Sequence, residues 1–510
     1  MIRLQKRIHI IFLIVMFAGL ISPSGLAQNG YDQNYRPQVQ FSPKSNWTND
    51  PNGLVYFEGE YHLFFQYNPE GSTWGHMSWG HAVSPDLLHW KELPVAIPET
   101  PDEMIFTGSV VVDEKNTSGL CEGDKPCLVS VYTAHSGAGK RQREVQNIAV
   151  SQDRGRTWKS FSANPVLDLK MSDFRDPSVS WNESAHAWIM AVSLPNEHKV
   201  AFYSSPDLKQ WKRESTFGPE GATGGQWECP DLLRIPGMNG TKDVWALKVG
   251  LNPGALQGGS GEQYFLGDFD GKTFIQSKEQ GSHGWTDYGK DSYCAISYNH
   301  LPTGTPPTLI GWMNNWQYAD KLPTAPWRGQ MTLARRISVI RDQAGLALTQ
   351  DPVIASQRIV PAHRIDIRVK AKDATAQVLD SKAPLELRLN IESTDASTYG
   401  LRIYSDEEHW SEIGFDRDSM KFYVDRRKSG LEVTTDFPTR TEAPLIGSRS
   451  NDIHLILDRS SISVFAQSGT IAMTNLIFPI KPDARIVFFR RGGVKALRLR
   501  GEAFPLNSIW

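Results

Sequence analysis

One turn recurs four times along this chain, and it restricts the possible folds more than any other feature. "SPDLLHW" (Ser84–Trp90), "SQDRGRTW" (Ser151–Trp158), "SPDLKQW" (Ser205–Trp211) and "GDFDGKTF" (Gly267–Phe274) each begin with a small residue, carry Asp two or three positions later and end in an aromatic. Each follows a strand-like run: "GHAVS", "NIAVS", "VAFYSS" and "EQYFLG". The copies stand roughly 60 residues apart, the length of one four-stranded antiparallel sheet with long loops, and such a period indicates similar sheets set radially around a channel. Coincidence among common turn residues is the weaker explanation, because the strand context matches in all four. An unmarked stretch from about Asp287 to Ile340 supplies a fifth sheet, so the expectation is a five-bladed β-propeller.

Past Asp351 the character changes. "LELRLNIE", "YGLRIYS", "KFYVDR", "IHLILDR" and "ISVFAQ" alternate apolar and polar residues without the aromatic turn, the pattern of a β-sandwich. At 510 residues the chain is too long for one ordinary core. The reading is therefore all-β: residues 1–27 an export signal, residues 28–350 a five-bladed β-propeller, and residues 351–510 a C-terminal β-sandwich.

The export signal rests on Arg3, Lys6 and Arg7 ahead of the apolar run "IIFLIVMFAGLI", with Gly25-Leu26-Ala27 as a small-residue cleavage site. A membrane anchor is the weaker alternative, since the run is short for a span. The mature protein is expected in the periplasm, at the cell surface or in the medium, with no membrane span. In an oxidising compartment Cys121 and Cys127 can close a small loop; Cys229 and Cys294 read as buried or isolated thiols. The net charge of −2, without long runs of one sign, gives no support for a nucleic-acid or anionic-membrane partner. Without a C-x-x-C pair or clustered His, no metal site is expected. The oligomeric state is not legible.

Three carboxylates stand before prolines in one register. Asp50-Pro51, Asp176-Pro177 and Glu228-Cys229-Pro230 each precede a short apolar run, and each lies ahead of its own copy of the repeated turn. Asp50-Pro51-Asn52-Gly53 taken alone is good turn chemistry. The shared spacing instead places all three acids near the start of innermost strands, converging at one mouth of the channel. Close like charges raise one another's pKa, an arrangement that suits an enzyme in which one carboxyl stays ionised while a neighbour is held protonated. Glycosidic bonds are cleaved in this way. A calcium site competes, but its ligands would be scattered singly, without a D-x-D-x-D-G loop. Asn49, Gln66 and Arg175 add groups that grip hydroxyls, and Trp47, Trp74 and Trp79 are available to stack on a sugar face or to pack between sheets.

With these residues in hand, the sequence closely resembles glycoside hydrolase family 32, the β-fructosidases that include invertases, inulinases and levanases. "WTNDPNG" resembles the family's nucleophile motif, "FRDP" its transition-state stabiliser and "WECPDL" its acid/base motif; "FTGSVVVD" and "GWMNNWQYADKLPTAPWRGQMTLARRI" match further blocks. The resemblance implies a five-bladed propeller with a C-terminal sandwich and no cofactor or metal. It implies Asp50 as nucleophile, Asp176 as transition-state stabiliser and Glu228 as acid/base. Asn49, Gln66, Trp74, Phe106, Thr107, Arg175 and one Trp of "GWMNNW", taken as Trp316 over Trp312, would shape the terminal-fructose subsite. The reaction implied is hydrolysis, with retention, of terminal β-D-fructofuranosyl residues of levan, inulin or sucrose. A plain invertase, an endo-acting levanase, a fructosyltransferase and a non-catalytic fructan-binding propeller are the alternatives. Thr48 stands where Met or Leu is usual, and Thr107 where Ser is common, departures that bear on fine specificity.

Overall fold

In the four copies of the repeated turn, the aspartate caps the backbone that follows it. Asp86 accepts from the N–H groups of Leu88 and His89, Asp207 from Lys209 and Gln210, Asp153 from Thr157, and Asp270 from Lys272 and Thr273. The leading serine adds a bond in three of them, Ser84 to Asp86, Ser151 to Asp153 and Ser205 to Asp207. This is an Asx-type turn, and each copy joins the third and fourth strands of a sheet. The repeat thus reports one structural joint used four times.

The computed structural model describes residues 30–237, 242–280, 284–392, 394–447 and 449–510; the expected export signal lies outside the described residues. Their secondary structure is β-strand apart from five short 3-10 turns. Five antiparallel sheets come first. Their inner strands are Asn46–Phe57, Met104–Asp113, Arg175–Asn182, Gln226–Ile235 and Tyr293–Ser297. Each inner strand lies against the next, and Tyr293–Ser297 lies back against Asn46–Phe57, so the five form a closed ring of neighbours. The two-residue strand Trp327–Arg328 pairs in parallel with Asn46–Trp47, adding a fifth strand to the first sheet.

The fifth sheet carries no copy of the aromatic turn because only two residues join its third and fourth strands, Arg335–Asp342 and Gly345–Pro352; residues 313–334 are inserted earlier, between the second strand, Thr308–Trp312, and the third. Its fourth strand, Gly345–Pro352, runs past Ile340 and past the expected boundary at residue 350. The last turn is built on Asp342, which accepts from the Ala344 N–H and closes on Gly345, at φ +104.

Two six-stranded antiparallel sheets follow, spanning His363 to Pro505. Alternation decides which side chains they bury: in "LELRLNI", Leu385, Leu387, Leu389 and Ile391 enter the core, while Arg388 and Asn390 face out. Leu401, Ile413, Val424 and Phe488 enter the same core from the other sheet, so the two sheets share one apolar interior.

This C-terminal unit is joined to the first by apolar and ionic contacts. Leu54, Phe65 and Met331 share a core with Ile456, Phe465 and Leu506. Arg426 meets Asp291 at 2.5 Å with both side chains fully buried, and Asp291 also accepts from Tyr318 and from the Leu476 N–H. Removing one member of such a pair strands the other charge away from water. Asp291→Ala should therefore cost about 3–5 kcal/mol of stability, read by denaturant unfolding; a loss below about 1 kcal/mol, the range of an exposed ion pair, would show that this contact does not lock the two units.

Candidate active site

The stretch "NDPNG" is not a turn. It runs inside the strand Asn46–Phe57, whose pairing slips between Thr48 and Pro51 and again between Asn52 and Val55. Such bulges bend a strand, re-aim its side chains and tolerate a proline that cannot donate to the ladder. Gly53 sits at φ +52, and a Cβ there would come within 2.6 Å of Val110, which is why the stretch needs glycine at this point. All five inner strands carry such an irregularity at matching places: between Ile105 and Gly108, opposite Arg175–Ser178, between Glu228 and Asp231, and between Tyr293 and Ile296. The prolines after the acids are thus explained by bulges.

The bulges bring the three acids together. Asp50 Oδ2 accepts from the Thr107 hydroxyl at 3.2 Å and lies 4.0 Å from Cys229 Sγ, while its Oδ1 makes no hydrogen bond. Asp176, in a left-handed backbone conformation at φ 66, accepts from the Cys229 N–H at 2.9 Å, and its own N–H donates to Thr133. Glu228 accepts from Arg175 through Nε at 3.2 Å and Nη2 at 3.0 Å, and from the Tyr293 hydroxyl. Arg175 is buried and further paired with Glu144 and Asp173, while Gln226 accepts from its Nη2 at 2.7 Å.

Electrostatics follow from this crowding. Burial, and then the Glu228 charge, push the Asp50 carboxyl up to about 7, against hydrogen bonds that pull it down. Burial is also the largest influence on Asp176; Arg175 opposes it, Glu228 and Asp50 reinforce it, and the carboxyl ends well above the usual aspartate range. The Tyr293 hydroxyl is pushed well above its ordinary value by burial and by Glu228, so at neutral pH it keeps its proton and donates it in the hydrogen bond to Glu228.

Around the acids, Trp74 is 46% exposed and meets Phe106 edge-on; Phe106 in turn stacks on His135 at 4.4 Å. Gln66 is buried in the second strand of the first sheet, where its amide reaches Asn52 once the Asn52 amide is oriented to satisfy its neighbours. Asn49 accepts from the Trp47 indole at 2.8 Å. Trp316 is the partly open member of a three-indole cluster with Trp47 and Trp312.

One open choice is decided here and one sequence expectation is corrected. Of the two readings open for Trp47 and Trp79, packing between sheets is the one found, since both are fully buried; Trp79 donates to the Phe106 carbonyl and so shapes the site from beneath. Cys229 and Cys294 are not isolated thiols but a disulfide, their Cα atoms 5.3 Å apart, because the inner strands of the fourth and fifth sheets lie side by side. Cys121 and Cys127 do close their small loop. Sequence reasoning also missed Tyr293, Glu144, Asp173 and Gln226. Gln226 had a signal: it stands two residues before Glu228 in the same strand and so shares its face, whereas Asp173 lies in a bend just ahead of the strand Arg175–Asn182. Tyr293 and Glu144 had none.

Residues 40–352 match the N-terminal domain of glycosyl hydrolases family 32, and residues 356–502 match the family's C-terminal domain. The chain is 38% identical to a levanase of Bacillus subtilis over 99% of its length and 76% of the relative's. It is 37% identical to an extracellular exo-inulinase of Aspergillus ficuum over 94% of this chain and 96% of that one. The crystal structure of exo-inulinase from Aspergillus awamori superposes with a TM-score of 0.87 at 34% identity, covering 94% of this chain and all of that one. A β-fructofuranosidase from Schwanniomyces occidentalis, solved with fructosyl-erythritol, gives 0.80 at 31% identity over 92% of this chain and 98% of the other. Matched end to end across both domains, this chain is a glycoside hydrolase and belongs to glycosyl hydrolase family 32.

Proposed function

We propose that the protein is an exported, retaining β-fructosidase that releases terminal fructose from levan and inulin and also cleaves sucrose. On this reading the five N-terminal sheets are the blades of a five-bladed β-propeller, residues 28–350 with the last strand reaching Pro352. Residues 351–510 are a β-sandwich packed against it. The observation that carries the proposal is the meeting of Asp50, Asp176 and Glu228, from inner strands of three sheets, around the Arg175 guanidinium and the Cys229 N–H. Relatives named levanase, exo-inulinase and β-fructofuranosidase, matched across nearly the full chain, support the substrate class.

The chemistry follows from the groups present. Asp50 Oδ1, which makes no other hydrogen bond, attacks the anomeric carbon of the fructosyl unit as Glu228 protonates the departing oxygen. A fructosyl ester forms and the glycosidic bond breaks. Glu228, now ionised, takes a proton from water; the resulting hydroxyl attacks the same carbon, the ester breaks and fructose leaves with net retention. Asp176, anchored by the Cys229 N–H, holds ring hydroxyls. Trp74, Phe106 and Trp316 supply the apolar walls, with Asn49, Gln66, Thr107 and Arg175 as the polar ones.

Incubation of the purified enzyme with inulin, levan and sucrose tests the exo reading. Fructose alone should appear from both fructans from the earliest times. Oligosaccharides released before fructose would overturn exo action, and longer oligosaccharides accumulating at high sucrose would instead indicate fructosyl transfer.

A further inference from the structure

The Cys229–Cys294 bridge joins the residues that directly follow two hydrogen-bonded partners. Glu228 precedes Cys229, Tyr293 precedes Cys294, and the Tyr293 hydroxyl donates to Glu228 Oε2. The covalent link and the hydrogen bond therefore run side by side across the seam between the fourth and fifth sheets. Both strands are bulged at that point, and both cysteines lie in the left-handed region, at φ 46 and φ 48, conformations that a side-chain-bearing residue adopts at a cost. Two bulged, strained backbones held only by their own ladders have freedom to shift. The bridge also reaches the other two acids: the Cys229 N–H holds Asp176 at 2.9 Å, and Cys229 Sγ lies 4.0 Å from Asp50 Oδ2. It is buried and, unlike the Cys121–Cys127 loop closure, spans two separate sheets.

We infer that the Cys229–Cys294 disulfide is a positioning device for the proposed reaction: it clamps the inner strands of two sheets so that Tyr293 meets Glu228 and the Cys229 N–H meets Asp176. The inference rests on the assignment of Glu228 as acid/base. Its members are positioning residues that act through Glu228 and Asp176 without touching the substrate. Displacement of a reacting group by about 1 Å can cost on the order of a hundredfold in rate, so a small slip at this seam has a large kinetic effect.

The test begins with the wild-type protein denatured with an alkylating reagent and no reductant. No cysteine should be modified; modification of Cys229 and Cys294 would end the proposal. Cys229→Ala/Cys294→Ala should then fold with a wild-type circular dichroism spectrum and a KM within about twofold, while kcat falls roughly tenfold or more and the pH profile of kcat moves. Wild-type kcat and an unmoved profile would overturn it. Tyr293→Phe and Cys294→Ser should combine non-additively, because both act on the Glu228 contact; effects that multiply would also overturn it. If the unbridged variants do not fold, the native enzyme is treated with a dithiol, which passes two electrons to the bridge and leaves two thiols. Activity should fall as those thiols appear, with the fold retained, and return on reoxidation; activity lost only together with the fold would make the bridge merely structural and end the proposal. Glu228→Gln retaining normal rate sinks the functional assignment itself, an outcome separate from every one of these.

Discussion

Asp50→Asn should abolish hydrolysis of inulin and sucrose, by a factor of about 10⁴ or more, and yet give a protein that is more stable than the wild type at neutral pH. Both effects come from the same carboxyl. Burial and the neighbouring Glu228 charge hold Asp50 at a pKa of about 7, whereas an aspartate in an unfolded chain ionises at about pH 4. Between these values the unfolded chain has lost this proton and the folded one still holds it, so stability falls as pH rises through that window and stays low above it. Below about pH 4 both states are protonated and the carboxyl costs nothing of this kind. The asparagine variant carries no such charge. Its advantage in thermal unfolding should be small at about pH 4, grow between about pH 4 and 7, and level off beyond, at an order of a few kcal/mol. The nucleophile must be ionised to attack, so the acid limb of kcat/KM in the wild type should lie well above the pH of an ordinary aspartate. Substantial activity in Asp50→Asn would show that this side chain is not the nucleophile, and a stability advantage that does not change with pH would show that it is not a crowded buried acid.

Much of this was legible in the sequence because it was written locally. The repeated turn is a single hydrogen-bonded joint, in which Asp86, Asp153, Asp207 and Asp270 each cap the next few N–H groups, and joints of this kind need particular residues within a span of seven or eight. The proline after each acid is also local, although its reason is a bulge in mid-strand and not the turn that "DPNG" suggests. What was not legible depends on which strands end up side by side. Cys229 and Cys294 are 65 residues apart, and nothing near either predicts the partner. Tyr293 lies in "DSYCAIS", whose neighbours carry no sign that its hydroxyl reaches Glu228. Whether an indole is a sugar platform or core is likewise a tertiary question: Trp74 is open while Trp79, five residues on, is sealed between sheets. The fifth sheet escaped the repeat because a two-residue turn joins its third and fourth strands, and the insertion of residues 313–334 ahead of its third strand carries Trp316 into the site.

Glu228→Gln should separate the two steps of the proposed reaction. The substitution keeps size and hydrogen bonding: the amide oxygen can accept from Arg175 and the amide nitrogen can donate to the Tyr293 oxygen, so the fold and the seam around Cys229 are preserved. What is lost is the proton. A sugar alkoxide is a poor leaving group, so on inulin and sucrose kcat/KM should fall by about 10³ or more, toward the upper range for general acid catalysis. An aryl β-fructofuranoside with a nitrophenolate leaving group needs no protonation, so its first step should proceed at close to the wild-type rate. The fructosyl ester on Asp50 then waits for water that the substituted amide cannot deprotonate, and turnover stalls after a burst of one nitrophenolate per enzyme. Azide, an anion that needs no base, should release the stalled enzyme as a fructosyl azide of retained configuration, because two displacements at the same carbon restore the original face. Equal losses on both substrate types, without burst or azide rescue, would place the acid elsewhere; a product of inverted configuration would remove Asp50 as nucleophile while leaving Glu228 as the acid. The outcome turns on a carboxyl that Arg175 and Tyr293 hold from two sides, and the Tyr293 contact is the one that the inferred clamp of the neighbouring disulfide would keep in register.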